Sequence, residues 1–513
     1  MSSAATPAPA GPPPFRPIPD LIREHAQQQP ERLALRHGTA RMTWGELGAQ
    51  VDRVAARLQA HGLQPRQSIA LCGANSIPYV VLFLGALRAG LAVAPLPAGA
   101  TADQLAGMVR DSGAGVLFVD DSVPPLAVDL PRIRIDLEQG DESLPGWLGA
   151  ATGTPHPVQI APQWPFNIIY SSGTTGTPKG IVQPHQMRWA HVARGENYGY
   201  GPHAVAMVAT SLCSNTTLVS VFPCLAKGGM LVLTQGRFDP AAWLALAQEA
   251  RATHAMLVPV QYQRLMALPD FDCFDLSSFH MKFCTSAPFA AQLKADILAR
   301  WPGGLVEYYG MTEGGGTCVL EAHGFPDKLA TVGRPSEGHD IRVIDEAGRE
   351  LPAGAIGEVV GRSGAMMTAY NNQPAKTREA EWYDPQGQRF IRTGDVGRFD
   401  QDGFLTLMDR RKDMVISGGF NIYPSDLEAV LRQHAGVADV AVVGVPSPAW
   451  GETPVAFVVP ATEAPAADAL RAWANERLGK TQRLADLRYL PELPRSDIGK
   501  VLKRQLRDGY RPN

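Results

Sequence analysis

Lysines, hydroxyls and carboxylates set in glycine-rich turns recur at widely separated places in the chain. The run YSSGTTGTPKG, from Tyr170 to Gly180, gathers Ser171, Ser172, Gly173, Thr174, Thr175, Gly176, Thr177 and Lys179. Backbone N–H groups and hydroxyls with an ammonium beside them can wrap a polyphosphate. The run is not a P-loop, which needs G-x-x-x-x-G-K-[ST]: Pro178 precedes Lys179 and Gly180 follows it. Taken alone it also reads as a flexible polar turn. Farther on, YYGMTEGGG sets Tyr308 and Tyr309 beside Gly310, Met311, Thr312 and a lone carboxylate, Glu313. IRTGDVGRFDQDGF places Asp395 in a glycine turn, and DRRKDMVISGGFNIYP carries Arg410, Lys412, Gly418 and Gly419. LPRSDIGKVLKRQL presents Lys500 directly after a glycine, although Lys503 and Arg504 nearby also suit a plain basic C-terminal helix.

These residues need elements to hold them. Helical periodicity in TWGELGAQVDRVAARLQAHGL (Thr43 to Leu63) is followed by the apolar run SIALCG, and the pairing recurs in AAWLALAQEARATHAMLVPV and AQLKADILARWPGGLVEYYG. Helix alternating with strand over this length predicts a layered α/β architecture with substantially parallel sheets. YVVLFLGALRAGLAVAPLP (Tyr79 to Pro97) predicts a buried helix ending near Gly90 and then a short strand; Arg88, glycine and proline break it too often for a bilayer span. Past about residue 335, short alternating strands with Asp-Gly and Ala-Gly turns predict a β-rich subdomain. A compact α+β tail of VADVAVVGVPS, PVAFVVP and AADALRAWANERL follows, and the charges from Asp409 to Asp413 read as a solvated junction.

With 513 residues the chain can build more than one core, and 45% hydrophobic with 19% charged residues is ordinary for a soluble protein. A net charge of -3 argues against nucleic acid or an anionic membrane as the main partner. The six cysteines form no C-x-x-C pair, so reduced, mostly buried thiols in the cytoplasm are expected. The Pro/Ala-rich start lacks the pattern of a secretory signal and reads as a disordered tail over residues 1–20.

In order and spacing, the quoted motifs resemble those of the adenylate-forming superfamily, which includes acyl-CoA synthetases, aryl-CoA ligases, luciferases and peptide-synthetase adenylation domains; the likeness runs from about Thr43 to Leu506. It implies a large N-terminal domain over residues 21–409, made of two layered α/β sheet subdomains and a β-rich subdomain, a hinge at 410–412 and a small mobile C-terminal domain over 413–513. It implies ATP, Mg2+ and coenzyme A as cofactors. Ser171, Ser172, Gly173, Thr174, Thr175, Gly176 and Lys179 would hold the ATP phosphates. Tyr309, with Gly310 and Met311, would meet adenine; Thr312 would contact the α-phosphate and Glu313 would help hold Mg2+. Asp395 and Arg410 would bind the ribose hydroxyls, which suits an acceptor-only carboxylate and a forked donor. Lys412 would be the hinge, Gly418 and Gly419 would line a pantetheine tunnel, and Lys500 would be the mobile catalytic lysine.

The resemblance implies a ligase that joins a small-molecule carboxylic acid to CoA through an acyl adenylate. A stand-alone enzyme loading a carrier-protein thiol is the alternative, and an inactive nucleotide-binding sensor a more distant one. Asn215 stands where amino-acid-activating relatives carry an aspartate, which disfavours an α-amino acid, and no carrier domain follows residue 513, which favours free CoA. Cys213 replaces the usual aromatic or histidine gate, Thr285 precedes Ser286 and Ala287 where glycine is common, and Tyr308 stands at another common glycine. Bulk there predicts an aromatic or short-to-medium acid. The spacing of Pro494, Gly499 and Lys500 resembles that at which bacterial acyl-CoA synthetases are acetylated by a protein lysine acetyltransferase. A homodimer stays open.

Overall fold

The computed structural model describes residues 13–149, 154–171, 179–410, 413–417, 420–448, 450–496 and 499–511. Ser172, Gly173, Thr174, Thr175, Gly176, Lys412, Gly418 and Gly419 lie outside the described residues.

Two sheets face each other across a layer of buried helices. The first carries a parallel run of Pro165–Ser171, Ala92–Leu96, Ser68–Cys72, Ala114–Val119 and Arg132–Arg134, extended antiparallel by Lys179–Pro184 and Ala369–Tyr370. The second carries Gly304–Tyr309, Met281–Cys284, His254–Leu257, Val205–Val208, Met230–Leu233 and Leu33–His37 in parallel, with antiparallel strands at both edges. Strand side chains alternate between faces. Ile69 and Leu71 therefore enter the inter-sheet core while Ala70 and Cys72 enter an outer one, and Met256 and Phe283 point inward where Ala255, Leu257 and Cys284 point outward. Strands covered on both faces read as unbroken apolar runs, as SIALC does.

Helix Ile77–Arg88 is buried at every position but Pro78, which explains its apolar composition all round. Ser76 caps it, accepting from Tyr79 N, and Arg88 at its last turn pairs with Asp52 at 2.9 Å. The amphipathic neighbour expected from Thr43 to Leu63 is Trp44–Ala60: Thr43 is its N-cap, in a capping box with Glu46, and the chain leaves the helix at His61. The strand expected after Gly90 is Ala92–Leu96. At the N-terminus the tail expected through residue 20 stops earlier, because Trp189 Nε1 donates to Pro13 O at 3.1 Å and a helix with buried Ile18, Leu21 and Ile22 begins at Ile18.

The β-rich part is an antiparallel sheet of Asp340–Ile344, Gly357–Arg362, Arg389–Phe399, Glu381–Tyr383 and Leu405–Arg410. The C-terminal α+β part has cores of its own, one among Val415, Leu427, Val442, Leu470 and Leu487, another among Ala441, Val443, Phe457 and Leu506. Asp409 is more than a solvated turn: it pairs with Val396 in the sheet and accepts from Ser425 N at 2.9 Å, tying the β-rich sheet to the start of helix Pro424–Leu431. Among the described residues no helix is long and apolar enough to cross a membrane.

Leu84 is 1% exposed in the helix between the sheets. Leu84→Ala removes about 2–5 kcal/mol of stability, transfer and cavity terms together. A denaturant titration should show the midpoint falling accordingly; an unshifted midpoint would contradict the two-sheet packing.

Candidate active site

The site forms where strands of both sheets end. Pro165–Ser171 and Lys179–Pro184 make a hairpin in which Tyr170 pairs with Gly180 and Ser171 with Lys179. The segment expected as one loop thus begins and ends in strand, since the β-branched pairs Ile168–Val182 and Ile169–Ile181 extend the ladder to Lys179. Tyr170 donates to Asp111 Oδ2 at 2.7 Å, and Asn371 Nδ2 donates to Asp111 O at 2.6 Å, so one aspartate ties the hairpin to the strand that follows it in space.

That neighbouring strand, Ala369–Tyr370, brings in a residue the motifs do not reveal. Tyr370 donates to Glu313 Oε1 at 2.7 Å while Lys179 Nζ lies 4.8 Å from the centre of the same ring. An ammonium on a ring face and a carboxylate at its hydroxyl are both favourable contacts. Burial, with the Glu313 charge beside it, pushes the Tyr370 phenol up, so the hydroxyl stays a donor. The sequence carries one signal for it: a tyrosine closing the short apolar stretch MMTAY.

Glu313 lies in a turn whose glycines are required by close approach. Gly314 has φ of +75°, and a Cβ there would sit 2.1 Å from Ala365 O. Met367 N donates to Glu313 O at 2.7 Å, and Met311 packs beside Tyr370 and Met367, so Gly310, Met311, Thr312 and Glu313 are fixed against the strand that supplies Tyr370. Thr312 is held from beneath: Gln183 Nε2 donates to Thr312 O at 2.6 Å and to Asn215 Oδ1 at 3.2 Å. Gln183 Oε1 in turn accepts from Asn167 Nδ2 at 2.8 Å and from Arg188. Arg188 is fully buried with no carboxylate partner among the described residues, and burial pushes its guanidinium down to about 9.

Across the turn, Tyr309 donates to Asp395 Oδ2 at 2.9 Å, Thr393 Oγ1 accepts from Asp395 N at 3.0 Å, and Asp395 sits opposite Arg410 in the ladder. Burial, then the Asp395 charge, pushes the Tyr309 phenol up. Lys500 is not in a helix, which begins only at Lys503. It follows Gly499 in a tight turn closed by Ser496 N to Lys500 O and Gly499 N to Ser496 O, both 2.8 Å. Gly499 is buried with φ of +74°, and a Cβ there would stand 2.8 Å from Val260 Cγ1. The turn bearing Lys500 therefore docks at the carboxyl end of His254–Leu257, on the main sheet.

Thr285, Ser286 and Ala287 leave the neighbouring strand Met281–Cys284 at the same end. Ser286 adopts φ of +84°, a left-handed conformation that costs a non-glycine residue on the order of 1 kcal/mol, and its hydroxyl meets that of Thr216. Helix Asn215–Ala226 carries Asn215 and Thr216 at its start and Val219 and Pro223 farther down. Those two, with Tyr198, Tyr200, Phe283 and Tyr308, wall a small cavity of about 10 Å³, room for roughly one water. Of Cys213, Asn215, Thr285, Ser286, Ala287 and Tyr308, expected to shape an acid pocket, Tyr308 lines this cavity, and Cys213 accepts from Ser211 Oγ at 3.1 Å.

Among the described residues no three His, Cys, Asp or Glu converge as a metal cage. Glu313 alone fits Mg2+, which uses one or two carboxylates and otherwise waters and substrate phosphates.

A family model described as AMP-binding enzyme matches residues 22–371, and one described as AMP-binding enzyme C-terminal domain matches 426–500. The chain is 33% identical over 486 residues to a feruloyl-CoA synthase of Amycolatopsis sp, covering 94% of this chain and 96% of that protein. It is 30% identical over 497 residues to the fatty acid–[acyl-carrier-protein] ligase ScoC of Streptomyces coeruleorubidus, covering 95% of each. ATP-bound MatB from Rhodopseudomonas palustris shares the architecture with a TM-score of 0.85 at 27% identity, covering 96% of this chain and 99% of that one. The amide bond synthetase McbA from Marinactinospora thermotolerans gives 0.84 at 27% identity, covering 96% and 100%.

Tyr370→Phe keeps the ring under Lys179 and removes only the donor to Glu313. The ATP-dependent step should slow roughly tenfold, the worth of one charge-assisted hydrogen bond, with unfolding little changed. Steady-state kinetics with varied ATP and Mg2+ would show it; a wild-type rate would mean that the hydroxyl does not position Glu313.

Proposed function

The chain belongs to the AMP-binding enzyme family, within the adenylate-forming superfamily, and from that premise we propose that its site activates a small aromatic or short-to-medium-chain carboxylic acid. It is an AMP-forming acid–thiol ligase of the acyl-CoA synthetase kind, working with ATP, Mg2+ and CoA. The observation that carries the proposal is the convergence at one strand-end surface of Lys179, Tyr370 and Glu313, of Tyr309 with Asp395, and of the Gly499–Lys500 turn. The acid size is supported by the bulk of Thr285 and Tyr308 at positions where glycine is common in the superfamily.

A carboxylate is a poor acyl donor because its leaving group would be oxide. It attacks the α-phosphate of ATP instead, forming an acyl adenylate and releasing pyrophosphate, and a thiol then displaces AMP. The first step brings two anions together, so the charge on the attacking oxygen and the phosphorus must be offset by fixed cations and donors. In this reading Lys500 does so at the reacting atoms, Lys179 and the loop before it hold the departing phosphates, and Thr312 meets the α-phosphate. Tyr309 stacks on adenine while Asp395 and Arg410 take the ribose hydroxyls. Glu313 would help hold Mg2+, which would supply charge neutralisation on the phosphates. A rotation about Lys412 then withdraws Lys500 and opens the thiol path beside Gly418 and Gly419.

The fatty acid–[acyl-carrier-protein] ligase ScoC supports a second reading, in which the acceptor is a carrier-protein thiol. Pyrophosphate release with a panel of carboxylic acids, followed by mass detection of the thioester with CoA and with a carrier protein, separates the two; release with no acid in the panel would sink both. Lys500→Ala should lose roughly 10²–10³-fold in adenylation, the scale of one removed electrostatic group, and still make thioester from preformed acyl adenylate. Equal loss of both steps would contradict its role. We further propose that Lys500, exposed at its turn, is an acetylation site, since acetylation removes the charge that adenylation needs. Incubation with a protein acetyltransferase and acetyl-CoA should raise the intact mass at Lys500 and stop adenylation; an unmodified, active enzyme would refute it.

A further inference from the structure

We infer that Asp111, which belongs to no motif, is a positioning residue for the nucleotide: it clasps together the two segments that carry Lys179 and Tyr370 and so sets where the ATP phosphates are held. The inference rests on the reading above in which Lys179 meets those phosphates and Glu313 the Mg2+.

Asp111 lies in the last turn of helix Ala102–Ser112, whose Leu105, Met108 and Val109 pack on the outer face of the first sheet with Ala70, Cys72, Ile168 and Tyr170. Its carboxylate accepts from three side chains on two other segments of that sheet. The Tyr170 hydroxyl donates to Oδ2 at 2.7 Å, Asn371 Nδ2 to Oδ2 at 3.4 Å and Asn372 Nδ2 to Oδ1 at 3.2 Å. The same two amides donate to Asp111 O, at 2.6 and 3.0 Å. Asn372 takes φ of +52°, a left-handed form that asparagine visits more readily than most residues, and two successive amides thereby reach one aspartate.

Gly180 stands between this clasp and Lys179. It pairs with Tyr170 in the hairpin, and its O accepts from Asn371 N at 2.6 Å. A Cβ on Gly180 would stand 3.0 Å from Asp111 Oδ2, from Ile168 Cγ2 and from Tyr170 Cε1 alike. Close approach on three sides explains the glycine directly after Lys179, where a P-loop has serine or threonine. On the other segment Tyr370, immediately before Asn371, meets both Lys179 and Glu313. Lys179 and Tyr370 are thus each one residue away from backbone held by the clasp, and loss of the clasp is felt at both.

Helix capping alone would explain part of this arrangement. The two asparagine amides satisfy a main-chain carbonyl of the last turn, where the helix offers no donor. Capping would not explain a carboxylate there, since the helix dipole disfavours an acid at the C-terminus, nor the Tyr170 phenol aimed at it. Burial, then the hydrogen bond to Asp111 and the charge of Asp111, pushes the Tyr170 phenol up, so the hydroxyl stays a donor. A hydrogen bond to a charged acceptor is about twice as strong as a neutral one, which suits a joint that must hold its geometry beside a polyanion.

Acid-dependent exchange of labelled pyrophosphate into ATP should be measured with ATP, pyrophosphate and acid varied in turn. In Asp111→Ala the KM for ATP and for pyrophosphate should rise roughly tenfold, as a sub-ångström misplacement of binding groups would make them, while the KM for the acid stays within about twofold. Asp111→Asn keeps one acceptor oxygen and should recover part of the loss. Leu84→Ala, which loses stability without touching the clasp, should leave all of these KM values alone. In a Lys179→Ala background, Asp111→Ala should raise the KM for ATP by no more than about threefold further, because both substitutions act on one contact. An ATP KM unmoved in Asp111→Ala, an acid KM that rises as much as the ATP KM, or an undiminished effect in the Lys179→Ala background overturns the inference and leaves the ligase reading standing. An ATP KM unmoved in Lys179→Ala overturns the phosphate reading and the inference with it. Should Asp111→Ala fail to fold, Asp111→Asn and Tyr170→Phe decide by the same split: each should raise the KM for ATP and not that for the acid, and no rise in either overturns the inference.

Discussion

One buried amide holds the site together. Gln183 is wholly buried, and its two ends reach four different segments: Nε2 to Thr312 O and Asn215 Oδ1, Oε1 to Asn167 and Arg188. A buried polar group left unmatched is expensive, so this network is satisfied only when the hairpin, the Thr312 turn and the start of the Asn215 helix are all in register. Arg188 raises the stakes. It is a buried cation neutralised by no carboxylate among the described residues and held by amide oxygens alone, an arrangement whose cost falls on stability and whose return is a single geometry.

From that amide the functional groups follow outward. The hairpin sets Lys179, the adjoining strand sets Tyr370, and Tyr370 sets Glu313. The Asn215 helix then runs from the same point to the cavity beside Tyr308, which Val219 and Pro223 line. Separate cores in the C-terminal part let the Lys500 turn reach the sheet end through a small contact, Gly499 on Val258 and Val260. Small interfaces of this kind suit the rotation proposed above.

Much of this was legible in the chain. Alternating helices and strands fixed the layered parallel sheets, because strands buried on both faces read as apolar runs and the central helix as apolar all round. Glycine clusters marked the turns at Glu313 and Lys500, since left-handed or closely approached backbone excludes side chains there, whereas Asp395, expected in a glycine turn, lies inside strand Arg389–Phe399 just after left-handed Gly394. What escaped was the support. Tyr370 lies far in sequence from both Lys179 and Glu313 and joins them only through strand pairing. Gln183 gave one faint sign, a lone amide in the apolar strand KGIVQP. The cavity beside Tyr308 was the least legible feature, because Tyr198, Tyr200 and Pro223, which line it, belong to no motif.

The central claim is that this surface makes an acyl adenylate before any thiol is involved. Exchange of labelled pyrophosphate into ATP, measured with a carboxylic acid present and CoA absent, tests it most directly. The account predicts exchange that depends on the acid and needs no CoA. Exchange that appears only when CoA is added, or that is indifferent to the acid, would contradict it.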